Sequence, residues 1–307
     1  MVAEVVVPEQ CMLCPRACGA DRAAGKRGVC GADDTVYVAR AALHEWEEPP
    51  LATGRGSGAV FFSHCPLRCV YCQNASITHG GFGLPTSAER LSQILLDLQA
   101  QDASNINLVT ATHYLPWVAP AIEDARKQGL SLPVVWNTSG YESLATIHAL
   151  RGLVDVYLTD FKYDSPAHSD AAQRYSHAPD YFDVALSALD AMRDQVGEPR
   201  YADDGALVRG VVVRHLLLPG RLEDAKRILS CLFERYGTGV LYSVMNQYTP
   251  IAAFPFAPEL NERTAPSDYE ELLDFLDGLG MDEYFWQDGE PAHESFIPAF
   301  DATGVVP

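Results

Sequence analysis

The chain has 307 residues, 48% of them hydrophobic and 21% charged, with a formal charge of −19. That apolar content can bury a substantial core in one large α/β unit or two smaller ones, and it excludes disorder as the default state. The acidic balance argues against broad electrostatic binding to nucleic acid or anionic membrane, because both need a basic footprint.

Residues 1–8 contain neither a basic leader nor a signal-length apolar run, and no later stretch reaches transmembrane length, so a cytoplasmic location is expected. Of the eight cysteines, seven fall in two tight clusters, which in a reducing compartment favours metal binding over disulfides. The first cluster lies in residues 1–44, where periodicity is weak, and has the spacing C-x2-C-x3-C-x11-C through Cys11, Cys14, Cys18 and Cys30. Four thiolates complete either a structural zinc site or an iron-sulfur cluster. One C-x2-C knuckle, where zinc ribbons show two, tilts the choice toward an auxiliary iron-sulfur centre and leaves zinc open. Arg16, Arg22, Lys26 and Arg27 sit among these cysteines with only Asp21 opposing them. They could offset a thiolate-ligated metal, form a docking patch, or belong to a solvated loop.

Residues 45–58 read as a connector, rich in proline and glycine. From Ala59 the pattern changes: apolar runs begin near Ala59, Ile106, Val134, Val154, Val208 and Val240, and amphipathic stretches separate most of them. Thr86 and Glu89 form a capping-box pair ahead of the apolar face Leu91, Ile94, Leu95 and Leu98. Further helices are predicted over 117–128, 142–150, 180–195, 222–235 and 267–279, with Gly129, Gly152 and Gly237 as stops for three of them. Six strands with helical crossovers predict an α/β fold, a partial (β/α)6 barrel over residues 59–307, whose functional residues belong at the carboxyl ends of the strands.

The second cysteine cluster sits at that edge, after the first strand. Cys65, Cys69 and Cys72 share one loop and leave a cubane 4Fe-4S cluster one thiolate short of the usual four. An iron with an open position can take an exogenous chelate, by the logic that separates catalytic from structural zinc sites. S-adenosylmethionine (SAM) is a fitting chelate, and a zinc knuckle or three free thiols are the alternatives. The fourth strand runs from Val154 to Lys162, and strand alternation places Val156, Leu158, Asp160 and Lys162 on one face. An acid and a base thus end an apolar face, either at a site or as an ordinary ion pair. Cys231, within Leu229-Ser230-Cys231-Leu232, reads as a small helical hydrophobe.

C-x3-C-x2-C with an aromatic residue before the last cysteine resembles the radical SAM superfamily signature, and Cys69-Val70-Tyr71-Cys72-Gln73-Asn74 resembles its pyruvate formate-lyase activating enzyme branch. Cys14-Pro15-Arg16, His44-x2-Glu47-Glu48-Pro49 and Gly56-Ser57-Gly58 are similar to an activating-enzyme-like subgroup. The resemblance implies a radical SAM barrel and an oxidoreductase. It further implies that an external donor such as flavodoxin or ferredoxin reduces the cluster, that SAM is cleaved to a 5′-deoxyadenosyl radical, and that the radical abstracts hydrogen from a glycyl-radical protein, another peptide or a small molecule. A non-catalytic iron-sulfur electron-transfer protein is the rival reading.

By the same resemblance Tyr71 meets the adenine end of SAM, its other reading being packing of the loop. Asp160-x-Lys162 resembles a SAM-contacting motif. Thr110 and Thr112 stand where relatives carry Gly-Gly-Glu for the SAM amino group, and offer hydroxyls in its place. Asn137-Thr138-Ser139-Gly140 resembles Asp-Thr-Asn-Gly with asparagine replacing the acid. Arg214 offers a fork for a carboxylate, although it and His215 cannot both face the lumen. His113 has no matching family role and reads as structural or as an acid-base residue.

Overall fold

Runs such as Val134-Val135 and Val211-Val212-Val213, buried on both faces, belong to the centre of a mainly parallel sheet. The computed structural model describes residues 2–287 and 298–306. Its strands are β1 (Tyr37–His44), β2 (Ser57–Phe62), β3 (Leu84–Pro85), β4 (Ile106–Val109), β5 (Val134–Thr138), β6 (Val156–Asp160), β7 (Arg200–Tyr201), β8 (Leu207–Leu216), β9 (Leu241–Met245) and β10 (Phe285–Trp286). Helices are α1 (Ala75–Thr78), α2 (Ala88–Gln99), α3 (Leu115–Lys127), α4 (Leu144–Ala149), α5 (Ala171–Ser176), α6 (Tyr181–Val196), α7 (Leu222–Tyr236) and α8 (Pro266–Leu279).

The strand order is β10-β9-β8-β6-β5-β4-β2-β1-β3, with β7 paired to β8 outside that path. β2, β4, β5, β6, β8 and β9 are parallel neighbours, and they are the six strands expected from the apolar runs. β1 and β3 add an antiparallel margin at one end. Thus Tyr37–His44, within the segment read as cysteine-rich and aperiodic, is a sheet strand. The short helices α1 and α5 were not anticipated, and both pack around the Cys65 loop.

Alternation divides the sheet into two faces. Leu108, Trp136, Tyr157 and Val213 join the large core formed with α2, α3, α6 and α7. Val135, Val156, Leu158 and Val212 form a separate inner cluster. Leu51 completes that cluster at 0% exposure, and Leu51 O accepts from Asn105 Nδ2 at 2.7 Å. Residues 45–58 therefore fill part of the inner face and are more than a surface linker. The start of α2 also differs from expectation. Ser87 is the N-cap, in extended conformation with Oγ accepting from Arg90 N, while the Thr86 hydroxyl turns to Leu84 O. Serine in extended conformation one residue later meets the same capping demand, worth about 1 kcal/mol. Among the described residues no helix is long and apolar enough to cross a membrane.

Candidate functional site

β2 ends at Phe62, and the chain then turns through His64 and Arg68, both at positive φ (71° and 55°), to bring Cys65, Cys69 and Cys72 onto one wall of a cavity of about 240 Å³. The loop is held from several sides. His64 N donates to Ile77 O and Val70 N to Tyr175 O, both at 2.9 Å, while His79 Nε2 lies 3.0 Å from Cys69 O. Ser176 Oγ donates to Cys69 Sγ at 3.2 Å, with the Tyr163 hydroxyl 3.6 Å from the same sulfur. Burial, then the neighbouring Cys69 and Cys72, push the Cys65 thiol up to about 12, so metal binding here must release protons. Among the described residues no three His, Cys, Asp or Glu side chains converge as a single ion requires. A cubane has no such requirement, since each thiolate takes a different iron. The donor set of three thiols, with hydroxyls directed at one of them and a lysine nearby, fits a 4Fe-4S cluster with one open iron.

Opposite the cysteines lie the carboxyl ends of β5, β6 and β8. Lys162 Nζ is 2.6 Å from Asp160 Oδ2, Arg214 Nε donates to Asp160 Oδ1 at 2.9 Å, and Arg214 Nη2 donates to Asn137 Oδ1 at 2.7 Å. All four residues line the cavity. Burial opposes the Asp160 charge, but Lys162 and Arg214 outweigh it and hold the carboxyl below its ordinary range. Burial likewise opposes the Lys162 charge, and Asp160 with Cys69 outweighs it and raises the ammonium. His215 faces the other side, with Nδ1 2.7 Å from Phe161 O. The connector contributes Glu47, whose carboxylate accepts from Asn107 Nδ2 at 2.9 Å and lies 3.5 Å from Arg214 Nη1.

Tyr71 lines the same cavity, buried and edge-on to Tyr175 and Tyr248. Thr110 also lines it, at φ 61°. Thr112 does not. Its hydroxyl donates to Glu142 Oε1 at 2.5 Å, and the Thr138 hydroxyl donates to the same oxygen, so the expectation of a direct cofactor contact from Thr112 gives way to a buried tie between two loops. Burial lifts the Glu142 carboxyl to about 7, with the two threonine bonds working against that rise. His113 is buried and held to Ser63 O at 2.8 Å. Burial pushes its imidazole down to about 3, which suits a structural and not an acid-base residue. Gly140 sits at φ 80°, where a Cβ would collide with the Asp160 carbonyl. The Tyr181 hydroxyl donates to Ser139 O at 2.7 Å and accepts from Lys162 N at 2.9 Å.

The N-terminal cysteines gather in a separate loop assembly. Cys11, Cys14 and Cys30 are buried and Cys18 is exposed. A Cβ on Gly28 would lie 3.3 Å from Cys18 Sγ and 3.4 Å from Cys30 Sγ, so these two sulfurs flank one point. Burial pushes Cys14 up to about 12 and raises Cys30. Of the four basic residues, Lys26 and Arg27 are exposed, Arg16 is half-buried with its guanidinium bound to carbonyls, and Arg22 is buried. Arg16 donates to Pro66 O, Leu67 O, Ser176 O and His177 O, at 3.0, 3.1, 2.6 and 2.5 Å, clamping the Cys65 loop to the end of α5. Arg22 has 0% exposure and packs its guanidinium against Tyr114 and Trp117. It donates to Asp33 O and His113 O, and its Nη2 has no hydrogen-bond partner.

Glu47, Glu142, Tyr181 and the clamping role of Arg16 were missed by sequence reasoning. Glu47 and Arg16 at least stood in quoted motifs; Glu142 and Tyr181 carried no local signal.

Residues 52–176 match the family model of the 4Fe-4S single cluster domain, a span that includes the Cys65 loop and strands β2 to β6. An uncharacterized protein of Methanocaldococcus jannaschii is 25% identical over 281 residues, covering 89% of this chain and 76% of its own. A radical SAM methyltransferase from Sphaerobacter thermophilus aligns with a TM-score of 0.47 at 13% identity, over 73% of this chain and 64% of the other. Native anSMEcpe with bound AdoMet aligns with a TM-score of 0.49 at 13% identity, over 73% and 61%. This chain spans less than two thirds of either solved structure.

Proposed function

We propose that this chain is a radical SAM enzyme. One observation carries the reading: the three cysteines of a single loop share a cavity with the buried Asp160–Lys162 pair, Asn137 and Arg214. In that reading Cys65, Cys69 and Cys72 hold a 4Fe-4S cluster. Tyr71, Thr110, Asn137, Asp160, Lys162 and Arg214, which line the cavity, orient SAM. The cluster, reduced by an external donor such as flavodoxin or ferredoxin, supplies the electron that cleaves SAM to methionine and a 5′-deoxyadenosyl radical. The chain's part is to position the cofactor and exclude side reactions.

Electron paramagnetic resonance of the anaerobically reconstituted, reduced protein should change on adding SAM, and 5′-deoxyadenosine should form. A Cys65→Ala, Cys69→Ala, Cys72→Ala protein that forms it at the parental rate overturns the assignment.

For the radical acceptor, the phrase from Cys69 to Asn74 supports a glycine of a glycyl-radical enzyme. Incubation with candidate proteins should yield a persistent glycine-centred signal; turnover of another peptide or a small molecule instead would redirect the assignment. Cys11, Cys14, Cys18 and Cys30 are proposed to hold a second centre, with iron-sulfur preferred over zinc. The buried Arg22 guanidinium, which has no carboxylate partner among its hydrogen bonds and acts on Cys30, supports an anionic thiolate centre there. The triple-cysteine variant should retain this metal, and tightly bound zinc without iron would refute the cluster.

A further inference from the structure

Beside the thiol-lined cavity lies a second, of about 300 Å³, between the connector and the β9–β10 end of the sheet. The two share Glu47, Arg214, Met245 and Gln247. Glu47 is well served by Asn107 and Arg214. Its neighbour Glu48 is served on one side only, by a hydrogen bond from Ser243. Glu48 is 8% exposed, its Oε1 is 4.0 Å from Arg214 Nε, and its buried Oε2 has no hydrogen-bond partner.

Arg214 is the only cation lining this cavity among the described residues, and its donors are committed to Asp160 and Asn137. Three carboxylates, Asp160, Glu47 and Glu48, therefore face two cations, Lys162 and Arg214. Buried carboxylates are ordinarily paired or hydrogen-bonded, so this arrangement takes up either a proton, shared between the hydrogen-bonded Glu47 and Glu48, or one further cation. Burial lifts the Glu48 carboxyl to about 7, with Arg214 opposing that rise and Glu47 adding to it. The rings of Phe285 and Trp286 line the same cavity, with Trp286 55% exposed. Acids and aromatic rings lining one cavity suit a cation carried on an apolar stem.

We propose that this cavity binds a protonated amine on an apolar stem, with Glu48 as its counter-ion and Trp286 against the stem, next to the SAM cavity. Its meaning as the substrate class rests on the radical SAM reading; the binding itself does not.

Calorimetry on the full chain, reconstituted anaerobically, would use benzylamine and Nα-acetyl-lysine N-methylamide as probes. Benzyl alcohol and Nα-acetyl-norleucine N-methylamide are their neutral counterparts. At least tenfold tighter binding of an amine than of its neutral counterpart is expected. Preference for the lysine amide assigns a peptide-borne amine, and preference for benzylamine a free one. Glu48→Gln should abolish the discrimination, Glu48→Asp should keep it, and Trp286→Ala should weaken both amines. Equal binding of amine and neutral probe, no binding of either amine, displacement by sodium at equal concentration, or discrimination that survives Glu48→Gln would each overturn the proposal. SAM cleavage measured on the same preparation is a separate readout. Amine binding without cleavage sinks the radical SAM reading alone, and cleavage without amine discrimination sinks the cavity assignment alone.

Discussion

Asp160 and Arg214 face each other in register on the neighbouring parallel strands β6 and β8, and Arg214 Nε donates to Asp160 Oδ1 at 2.9 Å. The pairing depends on topology, because β7 lies off the main path and leaves β8 directly beside β6. It also sets the electrostatics of the cavity, since the same guanidinium reaches Asn137 on β5 and Glu47 from the connector.

Arg214→Met should leave Asp160, Glu47 and Glu48 with Lys162 alone. Removing one partner from a buried ionic network costs about 3–5 kcal/mol. Arg214→Lys restores the charge without the fork and should recover only part of the loss. Anaerobic denaturant unfolding checks this, and a parental midpoint for Arg214→Met would remove the network from the list of stabilising elements.

Gly140→Ala tests how tightly the loop after β5 is built against β6. A Cβ at this position meets the Asp160 carbonyl, on a backbone at positive φ that side chains other than glycine rarely adopt. The strand end that presents Asp160 and Lys162 must shift to make room. SAM affinity should fall about tenfold or more, because a displacement on the order of 1 Å at a positioned group has effects of that size. Equilibrium dialysis with labelled SAM measures it; unchanged affinity would mean that the Asp160 backbone does not position the cofactor.

The six parallel strands were legible because each is a short apolar run bounded by breakers, and Asp160 because strand alternation is strict, whereas Lys162, expected on the same strand, lies past the end of β6. Local signals fail where the function of a residue lies in a distant contact. Arg16 is 160 residues from Ser176, whose carbonyl it holds, so a loop of cysteines and cations reads the same whether its arginines are solvated or clamped. Leu51 sits among prolines and glycines that read as a connector, yet it packs under Val135 and Val156. Thr112 followed a strand that ends at the site, but the buried Glu142 claims its hydroxyl, and no periodicity announces that carboxyl.

Arg16→Ala should loosen the Cys65 loop without unfolding the sheet. Four charge-assisted bonds to carbonyls are lost, each worth about 1.5–3 kcal/mol in its own context and not additive. If Cys65, Cys69 and Cys72 hold iron as proposed, it should be released to a chelator several-fold faster than from the parent, and Arg16→Lys should not rescue it, since one ammonium cannot span the same carbonyls. Equal release rates would show that the clamp is dispensable for the cysteine loop.

Glu142 should give the fold a distinctive pH response. Burial raises its carboxyl from an ordinary 4.5 to about 7. Between those values the folded chain keeps a proton that the unfolded chain has released, so the contribution is fully present below about pH 4.5 and is lost as pH rises through about 7. The loss is at most about 3 kcal/mol. Glu48 titrates in the same window, so the total slope belongs to both groups. Glu142→Gln isolates one of them: its unfolding midpoint should fall less than the parental midpoint between pH 5 and pH 8. Parallel pH profiles for the two proteins would mean that Glu142 carries no raised carboxyl and that Thr112 and Thr138 hold an ordinary carboxylate.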